Sequence, residues 1–505
     1  MVVVNLEACK GCTLCEKNCP LDAVHIVDRK AVVSEEKCAE CGICTRVCKF
    51  GAIQRPEASP DQSVVCSSCP VQCHVPVGHT GACKRYTNEN GKLVRNRRLV
   101  MHNDAITYHD PKLDGPVITA VGAGTNYPCI RPAPHIVSDV RDGVEVVTVV
   151  TEAPLSYSAV TVKLDTNTYI GEEGDPVYRG GKVVGMVTTE EYGSKMIDVG
   201  GANRLTGADG FMVARTIVEL ANGEQVELGV KTKDGMIKII AQAGKAPIIN
   251  GVTESRMRIG CGSATVGLFA KKMKEAVDEV IVIDHHVCGL FTEHLAGAEV
   301  GMEWSGVVPN ANKSSRGRYF GDHGTGIGGT TIATPRDAIK SVDMTRAKAG
   351  MQILVTNTTG EIRALFEVLP DGDVKEIPMT EKALALVDDI SNNCENSLTS
   401  VLYRGGTGGS ARGGVCSKPV AITKAVHEGK AVLTIGGAPA FVLPGGGINF
   451  MVDAGKVVDH GFTWVPTPAT VAPVEYTMTR ADYEAIGGHM DQIKPVAQLR
   501  EELGE

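Results

Sequence analysis

The sequence predicts an α+β chain: a cysteine-rich N-terminal domain, a small Cys-rich metal module, then a large mixed α/β body with a β-rich middle section. Three observations carry this. Of 17 cysteines, twelve lie between Cys9 and Cys83, while Cys129, Cys261, Cys288, Cys394 and Cys416 are scattered. From 101 to 250, short β-branched runs are broken by Gly, Pro and Asp, the pattern of strands and turns. After 250 a glycine-rich turn, a helical pattern and a β-branched run follow one another. The 505 residues are enough for several domains at roughly 100–200 residues each. The boundaries fall at 1–56, 64–100, 101–250 and 251–505.

Residues 1–56 contain an internal repeat of 29 residues (Cys9 to Cys38), each half a cysteine block flanked by strand-like runs. The runs are Val2 to Val4, His25 to Val27, Ala31 to Val33 and Ala52 to Gln54. Arg55 to Ser63 (RPEASPDQS) has the composition of a linker. The module at 64–100 ends in the basic run KLVRNRRL, expected as a solvated face or a docking patch for an acidic ferredoxin.

In the middle section GVEVVTVVTE and SAVTVKLD predict strands. VYRGGKVVGMVTT predicts a hairpin turning at Gly180-Gly181, and GEQVELGVKTKDGMIKII a pair of strands turning at Asp234-Gly235. The section is expected to be mostly β. Beyond it, Phe269, Met273 and Val277 share a helix face at i, i+4 spacing, and VIVID is a strand ending on Asp284. MQILVTNTT predicts a strand, TEKALALVDDI a helix, RGGTGGSARGGVC a glycine-dense loop, and the tail from Arg480 a polar, exposed helix.

Composition excludes several function classes. A hydrophobic content of 43% supports a large core and excludes disorder as the main state. A net charge of −8 is the wrong balance for a general nucleic-acid binder. The 58 glycines among 505 residues exceed the average of about 7% and favour backbone packed closely on backbone or cofactor. The opening MVVVNLEACKGC has no basic n-region or apolar h-region. No apolar run reaches the ~18 residues of a membrane span. A reducing, cytoplasmic setting is expected, with the cysteines binding metal rather than pairing as disulfides.

The first cysteine block is Cys9-x2-Cys12-x2-Cys15-x3-Cys19-Pro20 and the second Cys38-x2-Cys41-x2-Cys44-x3-Cys48. Three close thiolates reach three irons of a cubane, and the fourth ligates the other cluster. Two [4Fe–4S] clusters are therefore expected, one on Cys9, Cys12, Cys15 and Cys48, the other on Cys19, Cys38, Cys41 and Cys44. A zinc site would pair two CxxC motifs across a longer loop. The segment resembles a bacterial two-cluster ferredoxin, except that Lys49 rather than Pro follows Cys48. The third block, Cys66-x2-Cys69-x3-Cys73-x9-Cys83, also indicates metal. It is compatible with zinc or with a third Fe–S cluster, with His74 and His79 as spare ligands.

Gly260, Gly262, Ser263 and Thr265 open a helix, a candidate cofactor-phosphate cradle. Asp284 follows about 20 residues on, where a ribose contact would sit. A glycine-packed turn is the bland alternative. His285, His286 and His323 are candidate proton donors. Asp322 and His323 precede GTGIGGTT, a second anion-friendly loop. Arg404 and Arg412, in the third glycine-rich segment, suit a substrate carboxylate.

Taken together, CSSCPVQCHVPVGHTGACKRY, RIGCGSATVG, IDHHVCGLFTEH and GRYFGDHGTGIGGTT make nearly the whole chain resemble the 6-hydroxynicotinate reductase family. The resemblance implies an iron–sulfur flavoenzyme acting on a CH–CH bond. It would reduce 6-hydroxynicotinate, a small aromatic N-heterocyclic carboxylate, to 6-oxo-1,4,5,6-tetrahydronicotinate in nicotinate degradation, with ferredoxin as electron donor. It implies a flavin, FAD by preference, in the glycine-rich body. A homo-oligomer that binds neither nucleic acid nor membrane is expected. Saturating a pyridone-type ring sacrifices conjugation, so a low-potential donor suits it, and Fe–S clusters reach about −700 mV. Local chemistry makes His285, His286 or His323 the proton donor and Arg412 the carboxylate holder. Three other readings stay open: a related enzyme with another substrate, an electron-transfer subunit serving a partner, and a metal-dependent hydrolase using His285 and His286.

Overall fold

The computed structural model describes residues 2–55, 62–66, 73–82, 84, 86–96, 99–102, 117–120, 133, 135–155, 157–189, 195–257, 261–284, 287–458, 460–465 and 469–503. In the head, Val3–Val4 pairs antiparallel with Ile53–Gln54, so the first and last runs of the repeat close on each other. Val24–Val27 pairs with Lys30–Val33 at the junction of the two halves. Each cysteine block runs into a single-turn helix, Leu14–Lys17 and Ile43–Val47. The 29-residue repeat is visible in the backbone: Gly11 and Thr13 are left-handed in the first block, Glu40 and Gly42 at the matching places in the second. Gly11 cannot carry a side chain, because a Cβ there would meet the Arg29 carbonyl at 2.3 Å.

Among the described residues the body holds three large sheets. An eleven-stranded sheet contains every strand from Ala159–Leu164 to Val252–Thr253, continued by Thr399–Thr407, Ile448–Asp453 and Phe441–Leu443. A second sheet is built on Ala469–Thr479, paired antiparallel with Val144–Leu155 on one side and Ala431–Ile435 on the other. The helix Gly210–Ala221 contacts strands of both, and its Val213, Ile217 and Leu220 join one apolar core with Val160, Tyr403, Phe450 and Tyr476.

The third sheet centres on Glu279–Asp284, parallel to Gln352–Asn357. Every residue of Glu279–Asp284 is buried, as a strand covered on both faces must be. Val280 and Val282 face the helices Gly262–Ala276 and Glu381–Asn392; Phe269 and Met273 lie on the first, whereas Val277, expected on the same helix face, follows its end in extended backbone and packs in the same cluster. Ile281 and Ile283 face Ile327, Ile332 and Ile339.

Three expectations need correction. The proposed domain 251–505 is not one architectural unit: strands after residue 395 complete the sheets begun by 135–253, with Ala159–Leu164 lying between Lys195–Gly200 and Thr399–Thr407. The segment from Arg404 is not a loop at its start, because Arg404 to Thr407 end a nine-residue strand and Gly405 sits where a Cβ would strike Leu155 and Phe450 at 2.9 Å. The tail is not wholly exposed, since Tyr483 and Leu499 are buried. The hairpin at Gly180-Gly181 is present, both residues at positive φ as a tight turn requires.

Candidate functional site

Two cavities in the head are lined by cysteine quartets. Cys9, Cys12, Cys15 and Cys48 surround one, and Cys19, Cys38, Cys41 and Cys44 the other. The left-handed residues turn each block back on itself so that three sulfurs face one void and the fourth crosses over. Burial pushes the Cys15 thiol up to about 11, and those of Cys41 and Cys44 to about 12, reinforced by the neighbouring thiols. At Cys9 burial is outweighed by the Gly11 and Ala31 N–H groups and by Lys30 and Lys10, and the pKa falls. Among the described residues no three His, Cys, Asp or Glu side chains are placed to hold a single metal ion. Four thiols around one void suit a cluster.

The third block is described in part. Cys66 and Cys73 are buried, with the Cys66 N–H donating to the Cys73 carbonyl at 2.9 Å. Cys69 and Cys83 lie outside the described residues. His79 is held between the carbonyls of Glu35 (2.7 Å) and Val77 (3.0 Å).

The Gly262 turn is a packing device. A Cβ on Gly262 would meet the Val282 carbonyl at 2.3 Å and the Val287 carbonyl at 2.9 Å. The Ser263 hydroxyl is bonded to His294 Nε2 at 2.8 Å, Thr265 is buried, and Asp284 is fully buried at the strand end. Among the described residues, Gly262, Ser263 and Asp284 are thus accounted for by close packing, by the bond to His294 and by burial. Gly260, His285 and His286 lie outside the described residues.

His323 borders a cavity of about 670 Å³ between the eleven-stranded sheet and the third sheet's loops. Its Nδ1 is 3.2 Å from Glu172 Oε1, and its ring lies 5.7 Å from that of Tyr169. The Tyr169 hydroxyl donates to the same Glu172 oxygen at 3.1 Å. One wall is the loop Gly324–Gly329, a tight knot in which a Cβ on Gly326 would meet the Ile332 carbonyl at 2.2 Å. The N–H groups of Gly324, Gly326, Ile327 and Gly329 donate to the carbonyls of Gly329, Thr330, Ile332 and Gly326, so they are not offered to an anion. Lys233 and Asn167 also line the cavity. Asn167 Oδ1 is buried without a hydrogen-bond donor among the described residues. Neither was singled out from the sequence, where nothing local marks a hairpin lysine or a loop asparagine as sharing a cavity with a histidine far away in the chain.

Arg412 does not line this cavity. Its guanidinium donates to the Thr423 hydroxyl and, at 3.5 Å, to the Pro419 carbonyl, tying the short helix Gly409–Gly413 to Pro419–His427. Arg404 pairs with Asp198 across strands.

A family model described as a 4Fe-4S binding domain matches residues 31–54, the stretch with Cys38, Cys41, Cys44 and Cys48. The chain is similar to the 6-hydroxynicotinate reductase of Eubacterium barkeri, 68% identical over 503 residues, covering 99% of this chain and 100% of that one. The chain belongs to the 6-hydroxynicotinate reductase family. It is an α+β oxidoreductase with an iron–sulfur domain at its N-terminus. No solved structure matches it. In this family member the described helices include none long and apolar enough to cross a membrane.

Proposed function

We propose that the chain reduces 6-hydroxynicotinate to 6-oxo-1,4,5,6-tetrahydronicotinate with electrons from a ferredoxin, as a cytoplasmic homo-oligomer in nicotinate degradation. The observation that carries the reading is 68% identity along essentially the whole of a protein named for that reaction. The product has two hydrogens more than the substrate, so each turnover takes up two electrons and two protons.

The cysteine quartets fit two [4Fe–4S] clusters, each surrounding its own void. Such a cluster supplies low-potential one-electron transfer when bound. Cys9, Cys12, Cys15 and Cys48 would hold one, and Cys19, Cys38, Cys41 and Cys44 the other. Cys66 and Cys73 belong to a further site for zinc or a third cluster, with Cys69 and Cys83. A flavin is the expected two-electron store; Gly262, Ser263, Thr265 and Asp284 are engaged in packing and hydrogen bonds, and the flavin's position is left open.

The ring is placed in the cavity at His323. Lys233 offers its ammonium to the substrate carboxylate. Asn167 Oδ1 accepts from the ring N–H of the pyridone form. His323, oriented by Glu172, delivers a proton to ring carbon. Arg412, engaged with Thr423, is not assigned to the carboxylate.

The test is anaerobic purification, with iron, sulfide, zinc and flavin quantified on the sample that is assayed. Two clusters give about eight irons per chain, about twelve if the third block also holds a cubane. Reduction of 6-hydroxynicotinate by reduced ferredoxin supports the reading. Iron-replete protein that reduces another N-heterocycle but not this one overturns it.

A further inference from the structure

The two quartets differ in what surrounds them. Cys12 is exposed and Cys48 half-buried, whereas Cys19, Cys38, Cys41 and Cys44 are all buried. Lys10 and Phe50, both exposed, line the first cavity. Cys41 and Ile43 belong instead to the apolar core that continues through Cys66, Cys73 and Val75 into the body.

The polar contacts follow the same division. Among the described residues, Arg215 and His79 of the rest of the chain bond the head beside the second quartet, while Lys17, midway between Cys15 and Cys19, reaches out to the body. Arg215 Nη1 donates to the Cys19 carbonyl at 3.2 Å, and Nη2 to Asp22 Oδ1 at 2.9 Å. Lys17 Nζ donates to the Gly180 carbonyl at 2.8 Å. His79 bonds the Glu35 carbonyl, three residues before Cys38. Arg215 projects from Gly210–Ala221, the helix that contacts both large sheets. Its Nε donates to Glu219 at 2.6 Å, and Glu219 also pairs with Arg179. Arg215 is thus held from behind while its outer nitrogens hold the cysteine loop.

We propose that the two quartets have fixed polarity. Electrons come in at Cys9/Cys12/Cys15/Cys48 from an external one-electron donor protein and leave for the body from Cys19/Cys38/Cys41/Cys44, with Arg215 as the positioning residue of that exit. This rests on the cluster reading above. Each passage oxidises the donor by one electron and reduces iron at the first quartet and then at the second by one; two passages serve one ring. Arg215 places positive charge on the carbonyl of a ligand, which favours the reduced, more negative state at that quartet. Without it Glu219 is still neutralised by Arg179, Asp22 faces the quartet uncompensated, and the potential there falls.

The experiment uses the full chain, purified without oxygen, as wild type, R215M and R215K. Midpoint potentials of both clusters are followed by electron paramagnetic resonance. Reduction of iron by reduced ferredoxin is timed separately from reduction of 6-hydroxynicotinate. The expected result is that R215M lowers one midpoint and leaves the other, that R215K restores it, and that ring reduction slows several-fold while iron reduction by ferredoxin keeps its rate. Unchanged midpoints, or a loss confined to reduction by ferredoxin, overturns the proposal. Should R215M lose iron, R215K and K10E decide: K10E slows reduction by ferredoxin without moving the midpoint that Arg215 sets, and the opposite pattern overturns the polarity. Wild-type protein without two clusters overturns both this proposal and the reading beneath it. Wild type with two clusters and no activity on 6-hydroxynicotinate overturns only the substrate, and the midpoints still decide the polarity.

Discussion

Arg215 and Cys19 are 196 residues apart in sequence, yet the guanidinium of one donates to the carbonyl of the other at 3.2 Å. The bond fastens a small cysteine-rich head to a large β-rich body at the rim of a cysteine-lined cavity. Lys30 makes a comparable contact at the other quartet, donating to the Cys9 carbonyl at 2.9 Å, but it comes from the head itself. The repeat is thus symmetric in backbone and asymmetric in its surroundings.

The head has little core besides its cysteines. Its apolar cluster is Val2, Ala23, Val24, Ala31, Ala52 and Ile53 together with Cys9, Cys15, Cys19, Cys38 and Cys44. So small a core is marginal without metal. Removing the iron with a chelator is expected to open residues 2–55 to protease while the β-rich body resists. Equal cleavage throughout, followed by mass spectrometry, would show that the body depends on the head.

Glu279 is a buried acid at the start of the third sheet's central strand. Burial pushes its carboxyl up to about 7, against the pull of Ser305 and Thr292. In the unfolded chain it ionises near its ordinary value of 4.5. Between those values the native state binds more protons than the unfolded state, so this residue lowers stability as pH rises from about 4.5 to about 7. Glu279→Gln mimics the protonated acid. Its stability, followed by thermal unfolding, should match wild type near pH 4.5 and exceed it above pH 7, by roughly 3 kcal/mol at most. Parallel stability-versus-pH curves would refute this.

Two glycines of one helix should respond in opposite senses. Gly262→Ala drives a Cβ into the Val282 carbonyl at 2.3 Å. It is expected to destabilise the chain by about 1–3 kcal/mol. Gly267 is exposed with nothing within 4 Å of its Cβ position. Gly267→Ala should stabilise by up to about 1 kcal/mol through helix propensity alone. Thermal unfolding of both variants, with iron content unchanged, checks the pair.

At the cavity, His323→Gln is expected to lower kcat by roughly 10²–10⁴ while both clusters remain reducible. Lys233→Met should act mainly on KM for a carboxylated ring, and Asn167→Leu likewise. Steady-state kinetics with normal cluster spectra separates these effects from a failure of electron supply. A His323 variant with wild-type kcat would remove that residue from the mechanism.

The sequence by itself determined the parts whose causes are local. Cysteines at i, i+3 and i+6 within one block need only a few turn residues to converge, so spacing revealed the quartets and the 29-residue repeat. Gly180-Gly181 set a hairpin because a two-residue turn acts on its own flanking strands. Helix Gly210–Ala221 was not read within the section expected to be mostly β, although Val213, Ile217 and Leu220 repeat on one face, because the surrounding strand pattern hid it. The tertiary structure decided what no local period can encode. It returned Thr399–Thr407 to the edge of Ala159–Leu164, spent Gly262 on packing, committed Arg412 to Thr423, and set His323 opposite Glu172. Such pairings join residues far apart in the chain, and they form only because burying two sheets and one helix together outweighs the entropy of closing those loops.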